Sequence, residues 1–488
     1  MRKRFHIIWL ACLFLFSGCG NFLDIKPVNT MIPVSVEDFQ SLIIGGYPKT
    51  DFFMKTELMT DNVYANLQTS YTMSNEYVLF FTWAASHQLP SNENDAYWGE
   101  LYRCIYYANS VLDEFKNRIP TPEELETFER VKGEAYALRA YALFYLVNLY
   151  AENYAEENLD KPGVPVPLTA EDVHRNTQNN VREPLRVVWK QICDDLDEAT
   201  ILLAGKAATT LFRFNYSSLQ AFKARVYLFM GEWDKAIDAA TDVMNAKTLF
   251  NMNNLQAYID GETSEKYAFG GDYGMMDSDY KNEVLFFCAG KANYNMYYYD
   301  NNMQSPSLEL LDLCRRDENV KDYRRYIFDS FLDMNESNSW ATGPTVYRMY
   351  ANQGAPVYYI GLKLSEMYVT RAEAYMRKPS PDREKAVADL NNLLKNRIRT
   401  EDFTPLRVAD FADDKALLDR ILEERRVETA FDGGLRWFDL RRLGKPEIVH
   451  TYKNGEVYTL KQGDLRYVLQ IPLSEQNSSP DMPLNPRD

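Results

Sequence analysis

The stretches AFKARVYLFMGEWDKAIDAATDVMN (221–245) and RAEAYMRKPSPDREKAVADLNNLLKNR (371–397) share one plan, and that plan decides the fold. Each reads as a helix, a break and a second helix, with the break at Gly231 in the first and in a slightly longer turn in the second. Ala224 and Tyr227 of the first correspond to Ala372 and Tyr375 of the second, and Ala236-Ile237 to Ala386-Val387. Small residues at fixed places in paired helices let the two axes approach closely. YWGELYRCIYYANSVLDEF (97–115) and a helix over 128–150 are candidates for further, degenerate units of the same kind.

That pairing is the physical content of the tetratricopeptide repeat. Long non-repeat segments separate the pairs here, so a regular solenoid is excluded. In FERVKGEAYALRAYALFYLVNLY (128–150), Phe128, Val131, Ala135, Leu138, Ala142, Tyr145 and Leu149 recur at spacings of three and four. The spacing predicts one apolar face on a long amphipathic helix. Pro162, Pro165 and Pro167 in KPGVPVPLT then force an extended segment. Between about 250 and 350 the texture changes: DGETSEKYAFGGDYGMMDSDYKNEV and GKANYNMYYYDNNMQSPS are rich in Gly, Asn, Asp and Tyr and lack helical periodicity. EVLFFCAG (283–290) reads as a short buried strand. The expectation is a mainly α fold in which helical pairs support an irregular, loop-rich ligand-binding subdomain with little β.

The chain starts with Arg2, Lys3 and Arg4 ahead of the apolar FHIIWLACLFLFSG, the layout of a secretory signal. Fourteen helical residues span about 21 Å, short of the roughly 30 Å hydrocarbon core, which argues against a permanent transmembrane helix. Ser17-Gly18-Cys19 resembles a bacterial lipobox, with Cys19 acylated and Phe16 where Leu is usual. A formal charge of −16 disfavours nucleic acid and anionic membrane surfaces as partners. Beyond Cys12 and Cys19, the remaining cysteines Cys104, Cys193, Cys288 and Cys314 show no close spacing that would mark a disulfide framework or a metal site. Buried free thiols are the expected state, because a core of this size needs no staples.

No catalytic motif is present. His87, His174 and His450 form no HExxH, and there is no GxSxG elbow, Walker A loop, CxxC pair or GxGxxG. Asp194-Asp195 and Glu123-Glu124 read as polar helix faces. No cofactor is expected; the clustered oxygen ligands near Asp272 and Asp277 would suit a structural calcium ion, but no EF-hand spacing supports one.

Taken in order, further segments resemble one family. They are the lipobox with FLDIKP, YWGELYRCIYYAN, GEAYALRAYALFYLVNLYA, GVPVPLT, SPSLELLDL, DYR, LKLSEMYVTRAEAYMR, ILEERRVETAFDGGLRWFDLRRLG and LQIPLSEQNSSPDMPLNPRD. The chain resembles the SusD/RagB outer-membrane lipoproteins of Bacteroidota, nutrient-binding partners of TonB-dependent transporters. It departs from that pattern at Gly433-Gly434, where a His or Arg often follows the first Gly, and in the loops of 250–350. The resemblance implies a SusD-like, largely α-helical fold that divides as 1–18 (signal peptide), 19–40 (lipid anchor and tether), 41–249 (helical, repeat-containing), 250–350 (loop-rich, ligand-binding) and 351–488 (helical, with the C-terminal signature). It implies a lipid-anchored, surface-exposed outer-membrane protein that captures oligosaccharide and delivers it to a SusC-like TonB-dependent β-barrel transporter. A peptide-binding RagB-like receptor and a repeat-protein scaffold without nutrient ligand are the alternatives.

Sugars present apolar C–H faces and rims of hydroxyls, so their sites combine stiff aromatic rings with short polar side chains. Tyr294, Tyr297, Tyr298 and Tyr299, set among Asn293, Asn295, Asp300, Asn301 and Asn302, have that mixture. Tyr71, Asn75 and Tyr77, with Trp83 and Trp340, complete the candidate set. In the tyrosine run, period-two alternation sends some rings inward and others outward. Tyr136, Tyr141, Tyr145, Tyr227, Tyr375 and Trp98 sit at helical packing positions and are expected in the core. EERRVETAFDGGLRWFDLRR (423–442) reads as a fold signature: Glu423 and Arg426 pair at i,i+3, the glycines stop a helix, and Trp437 and Phe438 supply packing area.

Overall fold

A computed structural model describes residues 33–48, 52–65, 75–88, 95–174, 181–255, 282–289, 304–324 and 358–487. The described chain is mostly helical. In order it forms α1 (Val36–Gly46), α2 (Phe52–Glu57), β1 (Val63–Ala65), α3 (Asn75–Phe81), α4 (Ala96–Phe115), α5 (Leu125–Tyr150), α6 (Ala170–His174) and α7 (Leu185–Leu203). Then come α8 (Tyr216–Met230), α9 (Trp233–Ala246), β2 (Val284–Ala289), β3 (Gln304–Pro306), α10 (Leu308–Leu313), β4 (Tyr358–Lys363) and α11 (Leu364–Arg377). The chain closes with α12 (Arg383–Leu394), α13 (Asp414–Thr429), α14 (Leu435–Arg442), β5 (Ile448–Thr451), β6 (Val457–Leu460) and α15 (Leu473–Ser478).

Both repeat pairs are present as α8–α9 and α11–α12. Asn215 and Ser218 form a capping box that starts α8, and Gly231 ends it at φ 74°, a left-handed turn that glycine adopts without a Cβ clash. Helix α9 packs on both α8 and α11, so the two pairs join into one helical layer. The apolar surface buried there is the main favourable term, at roughly 25 cal/mol per Å² removed from water.

Helix α5 differs from its expected amphipathic form. From Ala137 to Tyr150 every residue is buried, and α1, α4 and α7 pack around it. A helix enclosed on all sides carries apolar residues all round, and the polar groups it does bury need partners. Glu134 receives Arg213 at 2.7 and 2.8 Å, and Arg139 grips Asp195 at 2.6 and 2.8 Å. Asp195 is therefore no polar-face residue; it is 1% exposed. Gly133 lets α7 come close, since a Cβ there would lie 2.8 Å from Leu203 Cγ. Of the tyrosines expected inside, Tyr141 and Tyr145 are fully buried, Tyr227 is buried, and Tyr136 and Tyr375 are partly buried. Trp98 is buried as well.

The C-terminal end of α5 shows why the chain returns across it. Arg441 donates to the carbonyls of Asn148 and Ala151, while Arg182 and Asn485 donate to that of Tyr150 at 3.1 and 2.8 Å. Helix ends leave their last carbonyls without intrahelical donors, and cations there also complement the helix dipole.

Strands are few. Among the described residues they form three two-stranded antiparallel ladders, β1–β3, β2–β4 and β5–β6. The strand expected from EVLFFCAG is β2, with Val284 to Phe287 buried. Cys104, Cys193 and Cys314 are free thiols, in line with the expected unpaired state.

The charged residues of α13 depart from the expected local pairing. Glu423 pairs with Arg316, not with Arg426. Glu424 meets Arg324 at 2.7 Å, Arg425 meets Asp439 at 2.8 Å, and Glu428 meets both Arg324 and Arg397 at 3.1 Å. All four partners lie outside α13, so α13 is a hub that fastens α14 and the segments around 316–324 and 397 to each other. Gly433 and Gly434, at φ 57° and 69°, make the turn from α13 into α14, and Trp437 and Phe438 are buried beyond it.

Candidate functional site

A groove of about 620 Å³ opens between the start of α10 and strand β5. Its inner wall is the Asp61-Asn62 turn that follows α2. Asn62 accepts a backbone hydrogen bond from Ser307 at 2.7 Å, which ties this turn to the residue capping α10. Both oxygens of Asp61 accept from Arg436 at 2.7 Å. Burial works against ionisation of Asp61, but the hydrogen bonds and charge of Arg436, with the charge of Arg426, hold its carboxyl below the ordinary Asp range.

Arg426 reaches this wall from α13. Its Nε donates to Asn62 Oδ1 at 2.8 Å, and its Nη2 donates to the Asp61 carbonyl at 2.7 Å and to Ser307 Oγ at 3.3 Å. Ser307 Oγ also accepts from the Leu310 amide at 3.3 Å, which leaves the hydroxyl hydrogen to donate elsewhere. The signature helix fastens the fold, in line with its reading as a fold signature, and its Arg426 also lines the groove.

The opposite wall is β5, whose residues alternate inward and outward. His450 points inward and stacks between Phe81 and Trp83, with ring centroids 4.3 and 4.2 Å away. Its Nδ1 and Nε2 face the carbonyls of Phe81 and Thr60 at 2.8 and 2.9 Å. Burial lowers its proton affinity. Val449 points outward, 53% exposed, and Leu308 across the groove is 62% exposed. Glu309 and Glu447 stand exposed at the rim. The groove therefore offers apolar faces beside hydroxyl, carboxylate and guanidinium groups.

The candidate residues fall in three places. Tyr71, Tyr294, Tyr297, Tyr298, Tyr299 and Trp340 lie outside the described residues, as do Cys19, Asp272 and Asp277. Asn75 begins α3 and is exposed. Tyr77 and Trp83, expected at the surface, are instead 7% and 2% exposed. Trp83 donates from Nε1 to the Met59 carbonyl at 2.9 Å while stacking on His450, so the indole satisfies its polar edge and its apolar face inside the core.

The ladders do join the flanks of the remaining candidates. Ala65, which precedes the stretch holding Tyr71, sits opposite Gln304, which follows the stretch holding Tyr294 to Tyr299. Ala289, at the other end of that tyrosine stretch, sits opposite Tyr358, which follows the stretch holding Trp340. Val63 of β1 and Ser307 after β3 also line the groove. Sequence reasoning missed Asp61, Ser307, Arg426 and Val449, because no local pattern links residues brought together by β1–β3 pairing and by α13.

Among the described residues, no group of three or more His, Cys, Asp or Glu is placed to hold a metal ion. The buried His87–Asp95 pair, at 2.6 Å, is completed by the Tyr150 hydroxyl and by the start of α4, which Asp95 caps. It is packed in the core, away from the groove.

Comparison with known families decides the lineage. The profile of a family described as "Starch-binding associating with outer membrane" matches residues 21–228, and that of the SusD family matches residues 250–487. The chain belongs to the SusD/RagB family. A SusD-like protein P2 from Formosa agariphila is 23% identical, with 99% of both chains covered. Among solved structures, a SusD superfamily protein from Bacteroides thetaiotaomicron shares the fold at TM-score 0.72 and 22% identity, covering 93% of this chain and all of that one. A SusD-like carbohydrate binding protein from Bacteroides vulgatus does so at TM-score 0.68 and 17% identity, covering 92% of this chain and 97% of that one. The mostly helical body with small two-stranded ladders is the SusD-like fold.

Proposed function

We propose that this SusD/RagB protein is a lipid-anchored glycan receptor of the outer membrane that captures oligosaccharide and passes it to a SusC-like TonB-dependent β-barrel transporter. One observation carries the reading. The groove is lined by Val63 of β1 and by Ser307 just after β3, so its apolar faces and hydroxyl group lie beside the described flanks, Ala65 and Gln304, of two of the aromatic stretches. The family's description as starch-binding and outer-membrane-associated supports it, as does the carbohydrate binding reported in the description of the Bacteroides vulgatus relative.

In this reading Tyr71, Tyr294, Tyr297, Tyr298, Tyr299 and Trp340 stack on sugar faces, while Asn75 and Ser307 meet hydroxyls. Tyr77 and Trp83 serve the core. Cys19 carries the lipid, and the helical body acts on a leash. Affinity electrophoresis through gels containing neutral polysaccharides tests the site. Tyr297→Ala, Tyr298→Ala and Trp340→Ala should each restore mobility, with losses of ~1–3 kcal/mol, as stacked aromatic anchors give elsewhere. Unretarded wild-type protein in every gel would overturn the glycan reading. Co-purification with a large β-barrel from detergent-solubilised membranes tests delivery; a lone monomer would overturn that step.

A further inference from the structure

The cations near the groove are ion-paired with Asp61, and its rim is acidic. Arg426 spends Nε on Asn62 and Nη2 on the Asp61 carbonyl and Ser307, and its Nη1 lies 3.4 Å from the Asp61 carboxylate. Behind it, Arg436 is bound through two donors to the same carboxylate. Both guanidiniums are ion-paired with the Asp61 carboxylate. At the mouth, Glu309 and Glu447 are exposed, and among the described residues neither has an ion-pair partner. The whole chain carries a formal charge of −16, so its long-range field has the same sign as the rim.

We infer that the groove selects glycans by charge: it takes neutral or amine-bearing saccharides and rejects those bearing uronate or sulfate. The inference rests on the glycan reading above and adds the substrate class. An anionic group entering the groove would leave water, would have to compete with the Asp61 carboxylate for Arg426, and would face two like charges at the entrance. A hydroxyl leaves water at far lower cost and finds the Ser307 hydroxyl in the groove wall. An ammonium group on a sugar ring would gain the attraction of Glu309 and Glu447. Because both carboxylates are exposed, the discrimination is screened by salt, and roughly tenfold at low ionic strength is the size such partly exposed charges supply.

The test uses residues 19–488, on an array carrying neutral, amino, uronate and sulfated oligosaccharides at matched length. Binding should be confined to the neutral and amino classes. The double substitution Glu309→Gln with Glu447→Gln should leave the thermal midpoint unchanged and narrow the preference over acidic counterparts by roughly tenfold at low salt. In 0.5 M salt the wild type should behave as the variant does. Binding confined to acidic saccharides, or a preference unaltered by the double substitution, would overturn charge selection and leave the glycan reading standing. Binding to no class of saccharide would overturn the glycan reading itself.

Discussion

Replacing Glu428 with Gln should destabilise the fold by about 3 kcal/mol at neutral pH and by far less in acid. Glu428 is 4% exposed and lies 3.1 Å from both Arg324 and Arg397. Burial alone would raise its proton affinity, but Arg397 and Arg324, with Lys363 beyond them, hold the carboxyl at about 2 against an ordinary 4.5. At 1.36 kcal/mol per pKa unit, that difference is about 3 kcal/mol. The sign follows from which state binds the proton first. As pH falls, the unfolded chain protonates near 4.5 while the folded carboxylate stays charged, so the contribution is complete above pH 4.5. It declines below that and is gone under about pH 2. Gln keeps the shape of the side chain and removes only the charge, leaving the two guanidiniums to Glu424, Asp322 and Glu283. Urea unfolding of wild type and Glu428→Gln at pH 7 and pH 3 reads the effect. The gap should be about 3 kcal/mol at pH 7 and shrink to about 1 kcal/mol at pH 3. A gap equal at both pH values, or none at pH 7, would refute the claim that α13 is clamped by charge. The consequence reaches the groove, because the same helix presents Arg426 to Asp61.

Glu57 should show the opposite pH dependence. Burial, then the charge of Asp432, raises its carboxyl to about 8, so the folded state keeps a proton that the unfolded chain releases above about 4.5. Stability is lost as pH rises across that interval, by up to about 5 kcal/mol; Glu57→Gln should flatten the fall in thermal midpoint between pH 5 and 8, and parallel curves would contradict this. Trp83→Phe removes the donor to the Met59 carbonyl and should cost ~1–3 kcal/mol of stability with saccharide affinity unchanged, since an acceptor is left buried. A loss of affinity with stability intact would return Trp83 to the binding site. Cys19→Ala should abolish incorporation of labelled fatty acid, and continued incorporation would remove the lipid anchor from the account.

What could be read from the chain alone follows the range of the interactions involved. The pairs α8–α9 and α11–α12 were legible because helical spacing and the Gly231 break are local signals. The strand β2 was legible as an apolar run bounded by polar segments. The full burial of α5 was not, since its periodic face is real but α1, α4 and α7 cover the other faces as well. Asp195 looked like one of two adjacent surface carboxylates until Arg139, 56 residues earlier, took it up. Glu423 and Arg426 looked like a pair because they are three residues apart. Arg316 and the Asp61-Asn62 turn hold them in place of each other, through contacts with elements more than a hundred residues away. Trp83 fits either a surface or a core role by composition, and only the Met59 carbonyl and the His450 ring decide it. The groove itself had no sequence signal, because Asp61, Ser307 and Val449 meet only after β1 pairs with β3 and β5 packs alongside.

Titration calorimetry of residues 19–488, against pooled neutral oligosaccharides and against pooled peptides, probes the central claim most directly. The account predicts saturable heat with the saccharides, abolished by Leu308→Asp at the exposed groove wall, and none with the peptides. Saturable heat with peptides and none with any saccharide would contradict it.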